Sequence, residues 1–123
     1  MSALKVVLSP RDGLDSRALR GVDALRKGRE YVVLEVFSQI EGSTLFRVEP
    51  ISDDPSALFD SRVFSVTDTR IPSTWRFFAL DSGSFYLCPE RWCEMGFWES
   101  YYDKESWAVM AYEAEKERIL QES

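Results

Sequence analysis

The sequence contains no histidine among its 123 residues, and histidine is the side chain that most often acts as a general base near neutral pH. It contains only two cysteines, whereas a zinc site needs about four ligands of the Cys, His or carboxylate type. No apolar run approaches the ~18 residues that a membrane-spanning helix requires. The apolar stretch near the N-terminus is also too short for a signal peptide. We therefore expect a cytoplasmic protein with no metal, no cofactor and no membrane partner.

The same shortages argue against an enzyme. Without histidine, the best local acid–base pair is Glu99 with Asp103, and carboxylates four residues apart are usually a solvated helix face. The glycines are too widely spaced for a phosphate-binding loop. Cys88 and Cys93 are expected to be two reduced, partly buried thiols, with a disulfide across the turn after Pro89 as the alternative. We predict no catalytic residues and no metal ligands.

Negative charge is in excess, and it is unevenly distributed. The net charge is −6, with residues 1–29 at +4 and residues 30–89 and 90–123 at −5 each. An acidic chain is a poor match for nucleic acid, because neutralising phosphates needs clustered Lys and Arg. The basic residues between Arg17 and Arg29 are interrupted by Asp15, Asp23 and Glu30, which favours a solvated face. The charge favours a cationic protein partner, and simple solubility is the alternative explanation.

Aromatic residues are abundant toward the C-terminus. The segment from Phe85 to Tyr112 holds nine of the seventeen aromatic residues and five carboxylates, but only two basic residues. Large rings beside fixed negative charges are typical of a surface that binds arginine and lysine of a partner. We read Met95–Asp103 as a strand with aromatic residues on both faces. On charge and aromaticity alone, the predicted partner-binding residues are Glu90, Glu94, Trp98, Glu99, Tyr102 and Asp103.

The hydrophobic periodicity predicts one α+β domain covering residues 1–123. Residues 1–29 should form a strand at Leu4–Leu8 and a short or broken helix within Asp15–Arg26, because Gly21 weakens the helical period. Residues 30–102 should form an antiparallel core of about five strands, either a curled sheet or a small barrel. Residues 103–121 should form an amphipathic helix, with Asp103 as its N-cap. Its apolar face should carry Ala108, Ala111, Tyr112 and Ile119, and its solvent side should carry Glu113, Lys116 and Glu117.

The strands of the core are predicted from alternating and β-branched runs. They are Tyr31–Phe37, Thr44–Glu49, Arg62–Thr67, Thr74–Leu80 and Ser84–Cys88. Turn residues join the first two strands and the last two as hairpins. Pro89–Met95 is expected to form a single helical turn, and Trp75 is expected to be buried.

The order of three short motifs resembles a known class of proteins. Ile-Pro-x-x-Trp (71–75), Pro-x-x-Trp (89–92) and Gly-Phe-Trp-Glu-x-Tyr (96–101), followed by a helix, resemble small cytoplasmic immunity proteins of bacterial polymorphic-toxin and contact-dependent inhibition systems. The resemblance covers roughly residues 27–120. It implies tight stoichiometric neutralisation of a cognate toxin domain, often a basic nuclease. Contact residues do not transfer from such families, because each contact surface diverges with its toxin.

Two other functions fit the same residues. The chain could act as a bacterial or phage adaptor whose sheet edge or last helix binds a partner. It could also be a barrel that binds a small molecule between aromatic side chains. Monomer and homodimer both remain open, since exposed Trp98 and Tyr102 would suit either a toxin interface or a dimer interface.

Overall fold

Two antiparallel sheets form the framework of the computed structural model, which describes residues 3–10, 12–51 and 55–122. The strand order is β2-β1-β6 in the three-stranded sheet and β5-β4-β3-β8-β7 in the five-stranded sheet. The predicted α+β class and the antiparallel pairing are confirmed. The strands are β1 (Lys5–Leu8), β2 (Glu30–Val32), β3 (Glu35–Ser38), β4 (Thr44–Val48), β5 (Ala57–Asp60), β6 (Phe64–Asp68), β7 (Trp75–Ala79) and β8 (Phe85–Pro89).

The chain changes sheets at Val33 and Leu34, within the segment predicted to be one strand. The Val33 amide donates to the Leu4 carbonyl at 2.9 Å, whereas the Leu34 amide donates to the Arg47 carbonyl at 2.8 Å. Consecutive residues therefore pair with different sheets, and both are buried. Among the described residues neither sheet closes on itself, so the fold is not the small barrel that the sequence left open.

The two predicted hairpins, β3–β4 and β7–β8, are confirmed. The second hairpin turns at Gly83, which has a φ of 97°. A Cβ at this position would lie 2.5 Å from Cδ1 of Ile40 in the neighbouring turn. Glycine is therefore favoured by the backbone conformation, whereas the close approach would displace only the exposed end of the Ile40 side chain. The third predicted strand is also present as β6, whereas β5 was not predicted.

The short or broken helix predicted within Asp15–Arg26 is present only in part. Its first part is a series of turns, and only Val22–Ala24 forms a short 3-10 helix. Gly21 explains the interruption, because its φ of 80° is left-handed and cannot continue a right-handed helix.

The strand predicted at Met95–Asp103 is also wrong. After a short 3-10 helix at Glu90–Cys93, the expected helical turn, the chain forms helix α1 at Phe97–Tyr102. Gly96 precedes α1 with a φ of 77°, which redirects the chain into the helix. Phe97 and Tyr101, four residues apart, are the buried side chains of α1. The region 30–102 is therefore not β throughout.

The C-terminal helix α2 spans Ser106–Gln121, two residues later at its start than predicted. Asp103 is not its N-cap: Glu105 occupies that position and its side chain makes no capping hydrogen bond. The predicted apolar face is confirmed, since Ala108, Ala111, Tyr112 and Ile119 are buried. Lys116 was expected on the solvent side, but it is buried as well.

The five-stranded sheet is covered on both faces. Phe46 of β4 lies 6.1 Å from Phe64 of β6, centroid to centroid, so one face packs on the three-stranded sheet. The next residue, Arg47, points to the opposite face, where it meets Trp98 of α1. Trp75 is buried as predicted. In the part of the chain that the structure describes, no helix is both long and apolar enough to cross a bilayer.

Candidate partner-binding surface

Helix α1 is positioned by a cluster of aromatic rings. Trp92, in the 3-10 helix before α1, stacks on Tyr112 of α2 with centroids 5.2 Å apart and meets Trp98 edge-on at 5.5 Å. Tyr101 lies 4.4 Å from Tyr112. Aromatic pairs at such separations stabilise by about 0.5–1.5 kcal/mol each beyond the area they bury. The rings therefore fix the orientation of a six-residue helix that would not be stable alone.

Trp98 was predicted to contact a partner, but its ring lies over Arg47 of the sheet. The Arg47 guanidinium carbon is 3.5 Å from the ring centroid, a close cation–π contact. The ring is only partly accessible at one side, where it borders a shallow cavity. We expected this ring to bind an arginine of a partner. The arginine that it contacts is instead Arg47 of the same chain.

Beneath Trp98 lies a buried ion pair that the sequence analysis missed. The Glu35 carboxylate approaches Arg47 Nε at 3.6 Å, and both side chains are nearly inaccessible. Neither carboxylate oxygen of Glu35 has a hydrogen bond of ordinary geometry among the described residues, although the side-chain donors of Arg47 and Trp98 lie near it. Burial raises the pKa of Glu35 above its ordinary value of 4.5, and the charge of Arg47 with the donors of Arg47 and Trp98 offsets only part of that effect.

Tyr102 joins α1 to the same ion pair. Its hydroxyl accepts a hydrogen bond from Arg47 Nη1 at 2.7 Å and donates one to the Ser56 carbonyl at 2.8 Å. The neighbouring Tyr101 hydroxyl accepts from the Ser56 amide at 2.9 Å. The phenol end of Tyr102 is therefore engaged within the protein, while 49% of the residue remains exposed.

The acidic residues of α1 point away from this cluster. Glu99 and Asp103 are exposed, one helical turn apart, and the Asp103 amide donates to the Glu99 carbonyl at 2.9 Å. Glu94, just before Gly96, is exposed as well. Within residues 3–10, 12–51 and 55–122, none of these three carboxylates forms an ion pair. We refer to Glu94, Glu99 and Asp103 as the acidic face.

Glu90 does not belong with the acidic face. It is exposed, but it lines a depression of about 310 Å³ together with Arg76, Arg91 and Arg118. Glu115 lines the same depression and pairs with Arg118, so Glu90 lies in a surface of mixed charge. The structure thus places Glu99 and Asp103 one helical turn apart beside Tyr102 and Glu94 just before α1, and it separates Glu90 from them.

An open apolar groove adjoins Tyr102. It has a volume of about 630 Å³ between the end of α1 and the start of α2, and Pro55 closes one side. Met110, 70% exposed, contributes to its wall. Its lining residues are Pro55, Tyr101, Tyr102, Lys104, Ser106, Val109, Met110 and Glu113.

One signal in the sequence could have revealed the buried pair. Each of the paired strands β3 and β4 carries a single charged residue, Glu35 and Arg47, within an otherwise largely apolar run. The register places the two residues directly opposite each other. Opposite charges at such positions are expected to pair across a sheet. Their burial, in contrast, depends on α1, which the sequence analysis interpreted as a strand.

The described residues contain no group of three or more His, Cys, Asp or Glu side chains arranged to hold a metal ion. No family model, curated protein or solved structure matches this chain, so the surface is interpreted from its own residues.

Proposed function

We propose that this protein is a non-catalytic, acidic inhibitor that binds a basic protein domain. Its mode of action would be that of an immunity protein, which neutralises a cognate toxin by stoichiometric binding. The observation that carries the proposal is the acidic face: Glu94, Glu99 and Asp103 are exposed and have no counter-ion among the described residues.

The position of these carboxylates is unfavourable for the isolated protein. Like charges one helical turn apart destabilise a helix by about 0.2–0.5 kcal/mol. Asp103 also lies at the C-terminal end of α1, where the helix dipole disfavours a negative charge. A cationic partner would relieve both effects on binding. The arrangement is therefore better suited to a complex than to the free protein.

The groove beside Tyr102 supplies the apolar component of the proposed interface. Protein interfaces combine an apolar centre that excludes water with a polar rim, and a few aromatic anchors contribute most of the binding energy. Tyr102 and Met110 would contact an apolar side chain of the partner, while Glu99 and Asp103 would pair with its lysines or arginines. Trp98 would support this surface from below, holding α1 on Arg47, and would not contact the partner.

A role for Glu35 as a catalytic acid is the main enzymatic reading of the structure, because buried carboxylates with raised pKa values cluster at active sites. Glu35 is only 1% exposed and is covered by Trp98. Substrate could reach it only if α1 left the sheet. Its contacts fit a structural role in holding α1.

The test is a charge reversal on the acidic face, Glu99→Lys with Asp103→Lys. The binding partner is the toxic domain encoded by the neighbouring reading frame, and the readouts are calorimetric affinity and rescue of growth on co-expression. We expect a loss of about 2–5 kcal/mol in binding and loss of rescue, because each reversal would place like charges opposite each other, which costs several kcal/mol.

A matched control carries the same change in net charge elsewhere. Glu41→Lys with Asp81→Lys alters two exposed turn residues outside α1, and we expect it to bind and rescue like the unmodified protein. Circular dichroism should show both double variants folded. Equal binding by the two variants would remove the acidic face from the interface. A neighbouring product that is neither toxic nor bound would overturn the immunity function itself.

A further inference from the structure

The two cysteines form a close pair in the folded protein. Cys88 Sγ and Cys93 Sγ are 2.7 Å apart, about 0.7 Å longer than the ~2.05 Å of a disulfide bond. The thiols are free in the structure, so the chain holds them in contact without a covalent bond. Only a small movement separates this pair from a disulfide.

The local fold explains why two residues five positions apart meet. Cys88 lies near the end of β8, and Pro89 ends that strand. The 3-10 helix Glu90–Cys93 then returns the chain so that its last residue faces the strand. The buried ring of Trp92 anchors this helix against Tyr112. The contact between the two sulfurs is therefore set by packing, independently of any oxidant.

The two thiols differ in access. Cys88 is fully buried, whereas Cys93 is partly accessible and lines a shallow cavity of about 260 Å³ with Glu94 and Trp98. A small disulfide reagent can therefore approach Cys93 but not Cys88. This asymmetry is typical of a pair in which one thiol is attacked first and the second resolves the intermediate.

We propose that Cys88 and Cys93 form a reversible intramolecular disulfide by exchange with a low-molecular-weight disulfide such as glutathione disulfide. The Cys93 thiolate attacks one sulfur of glutathione disulfide, forming a mixed disulfide and releasing one reduced glutathione. Cys88 then loses its proton and attacks the Cys93 sulfur, releasing a second glutathione. The protein loses two electrons and two protons, and one glutathione disulfide becomes two glutathione thiols.

The environment of Cys88 makes the second step the slow one. The hydrogen bond with Cys93 and burial raise the pKa of the Cys88 thiol, so its thiolate is rare at neutral pH. The short distance between the sulfurs compensates, because an intramolecular attack has a high effective concentration. This inference does not depend on the proposed inhibitor function.

The first measurement uses the unmodified folded protein in glutathione buffers of increasing oxidised fraction, quenched with acid, alkylated in denaturant so that both cysteines are accessible, and read by intact mass. We expect one product that is lighter than the dithiol by two hydrogen atoms and resists alkylation. The amount of this product should exceed the amount of the glutathione adduct by about tenfold or more, because the neighbouring thiol competes at high effective concentration. Dithiothreitol should restore two alkylatable thiols.

Two variants separate the roles of the thiols. Cys88→Ser should accumulate the glutathione adduct at Cys93, and Cys93→Ser should react much more slowly because the remaining thiol is buried. Persistent alkylation of both cysteines in the unmodified protein at every buffer ratio would overturn the proposal. A glutathione adduct that never resolves in the unmodified protein would overturn it too. Both outcomes are read on the unmodified chain, so a misfolded variant would not obscure them.

Discussion

Glu35 is a carboxylate held in contact with a counter-ion but without a hydrogen bond of ordinary geometry among the described residues. Taking a carboxylate out of water costs several kcal/mol, which the Coulombic attraction of a single arginine does not always offset. The raised pKa of Glu35 has this origin. The pair therefore specifies where α1 binds the sheet more than it stabilises the fold.

The raised pKa of Glu35 predicts a pH dependence of stability. The carboxyl group of Glu35 has a higher pKa in the folded protein than in the unfolded chain, so its protonated form favours folding. This stabilisation is fully present below the unfolded-state pKa of about 4.5. It is lost as pH rises through the folded-state pKa. In Glu35→Gln the neutral amide does not titrate. We therefore expect this decline in the free energy of unfolding to be absent, as measured by urea denaturation across pH 4–8.

Glu41→Gln provides the comparison, since Glu41 is exposed in a hairpin turn. It should keep the pH profile of the unmodified protein. An identical decline in Glu35→Gln would mean that Glu35 does not determine the pH dependence.

Asp60 acts in the opposite direction at lower pH. Hydrogen bonds from Arg62 lower the pKa of the Asp60 carboxyl to about 2, so its contribution to the free energy of unfolding is lost only in acid. The two effects occupy different pH ranges and do not mask each other.

At the scale of single residues, the exposure of the acidic side chains around α1 could be predicted, whereas the burial of Lys116 and the contacts of Trp98 could not. Glu94, Glu99 and Asp103 are exposed as their charge suggests. Trp98 contacts Arg47, which lies 51 positions earlier in the chain. Nothing in the local pattern around Trp98 specifies such a partner, because it is created by the packing of α1 on the sheet.

Among the elements, α1 is the one whose type was predicted wrongly. Phe97, Trp98, Tyr101 and Tyr102 repeat with spacings of one and four, which is a helical pattern. The dense aromatics, which favour strands, outweighed that pattern. The hairpins were predicted correctly because their turns carry local signals, such as Ser82-Gly83, that need no tertiary context.

The end of α1 contains an unusual backbone conformation. Lys104 has a φ of 61°, and the Glu105 amide donates to the Ser100 carbonyl at 3.0 Å, as in a Schellman C-cap. Glycine is usual at this position, since a side chain in the left-handed region costs about 1 kcal/mol. Lysine at position 104 is therefore less favourable for the folded backbone than glycine would be.

We expect Lys104→Gly to be more stable than Lys104→Ala by about 1 kcal/mol, because both variants lose the same charge and only alanine keeps the Cβ. Chemical denaturation of the two variants side by side measures the difference. Equal stabilities would show that the left-handed conformation at residue 104 is not strained.

At the scale of the whole molecule, a polar bridge connects the helices to the five-stranded sheet. The Tyr102 hydroxyl contacts both Arg47 and Ser56, which lie 55 and 46 positions earlier in the chain. Removing this hydroxyl leaves Arg47 with a weaker contact, to Ser56 Oγ at 3.3 Å. Tyr102→Phe thus tests how firmly the helices are attached without altering the aromatic packing.

We expect Tyr102→Phe to lower the free energy of unfolding by about 1–2 kcal/mol, the usual effect of losing a hydrogen bond to a charged group at a partly exposed site. Tyr86→Phe is the matched control. Its ring stacks on Phe37, and its hydroxyl forms no hydrogen bond within the described residues, so a change below about 0.5 kcal/mol is expected. Similar losses in both variants would argue against the bridge.

Only some features of the overall architecture could be predicted from the sequence. Class, antiparallel pairing and the last helix follow from periodicity and turn chemistry. The division into two sheets cannot be predicted in this way. It depends on the adjacent amides of Val33 and Leu34, which donate to carbonyls next to different sheets. A continuous β-branched run reads the same whether or not the chain changes sheets within it.

Substitutions in and next to α1 fall into two kinds, according to whether the side chain holds the helix on the protein. Trp98 and Tyr101 hold the helix from its inner side, whereas Glu99 and Asp103 make no ion pair that the described fold requires. The outward positions can therefore be exchanged with little penalty for the scaffold. Substitutions can therefore accumulate by drift at a few solvent-facing codons, while the inner positions stay constant.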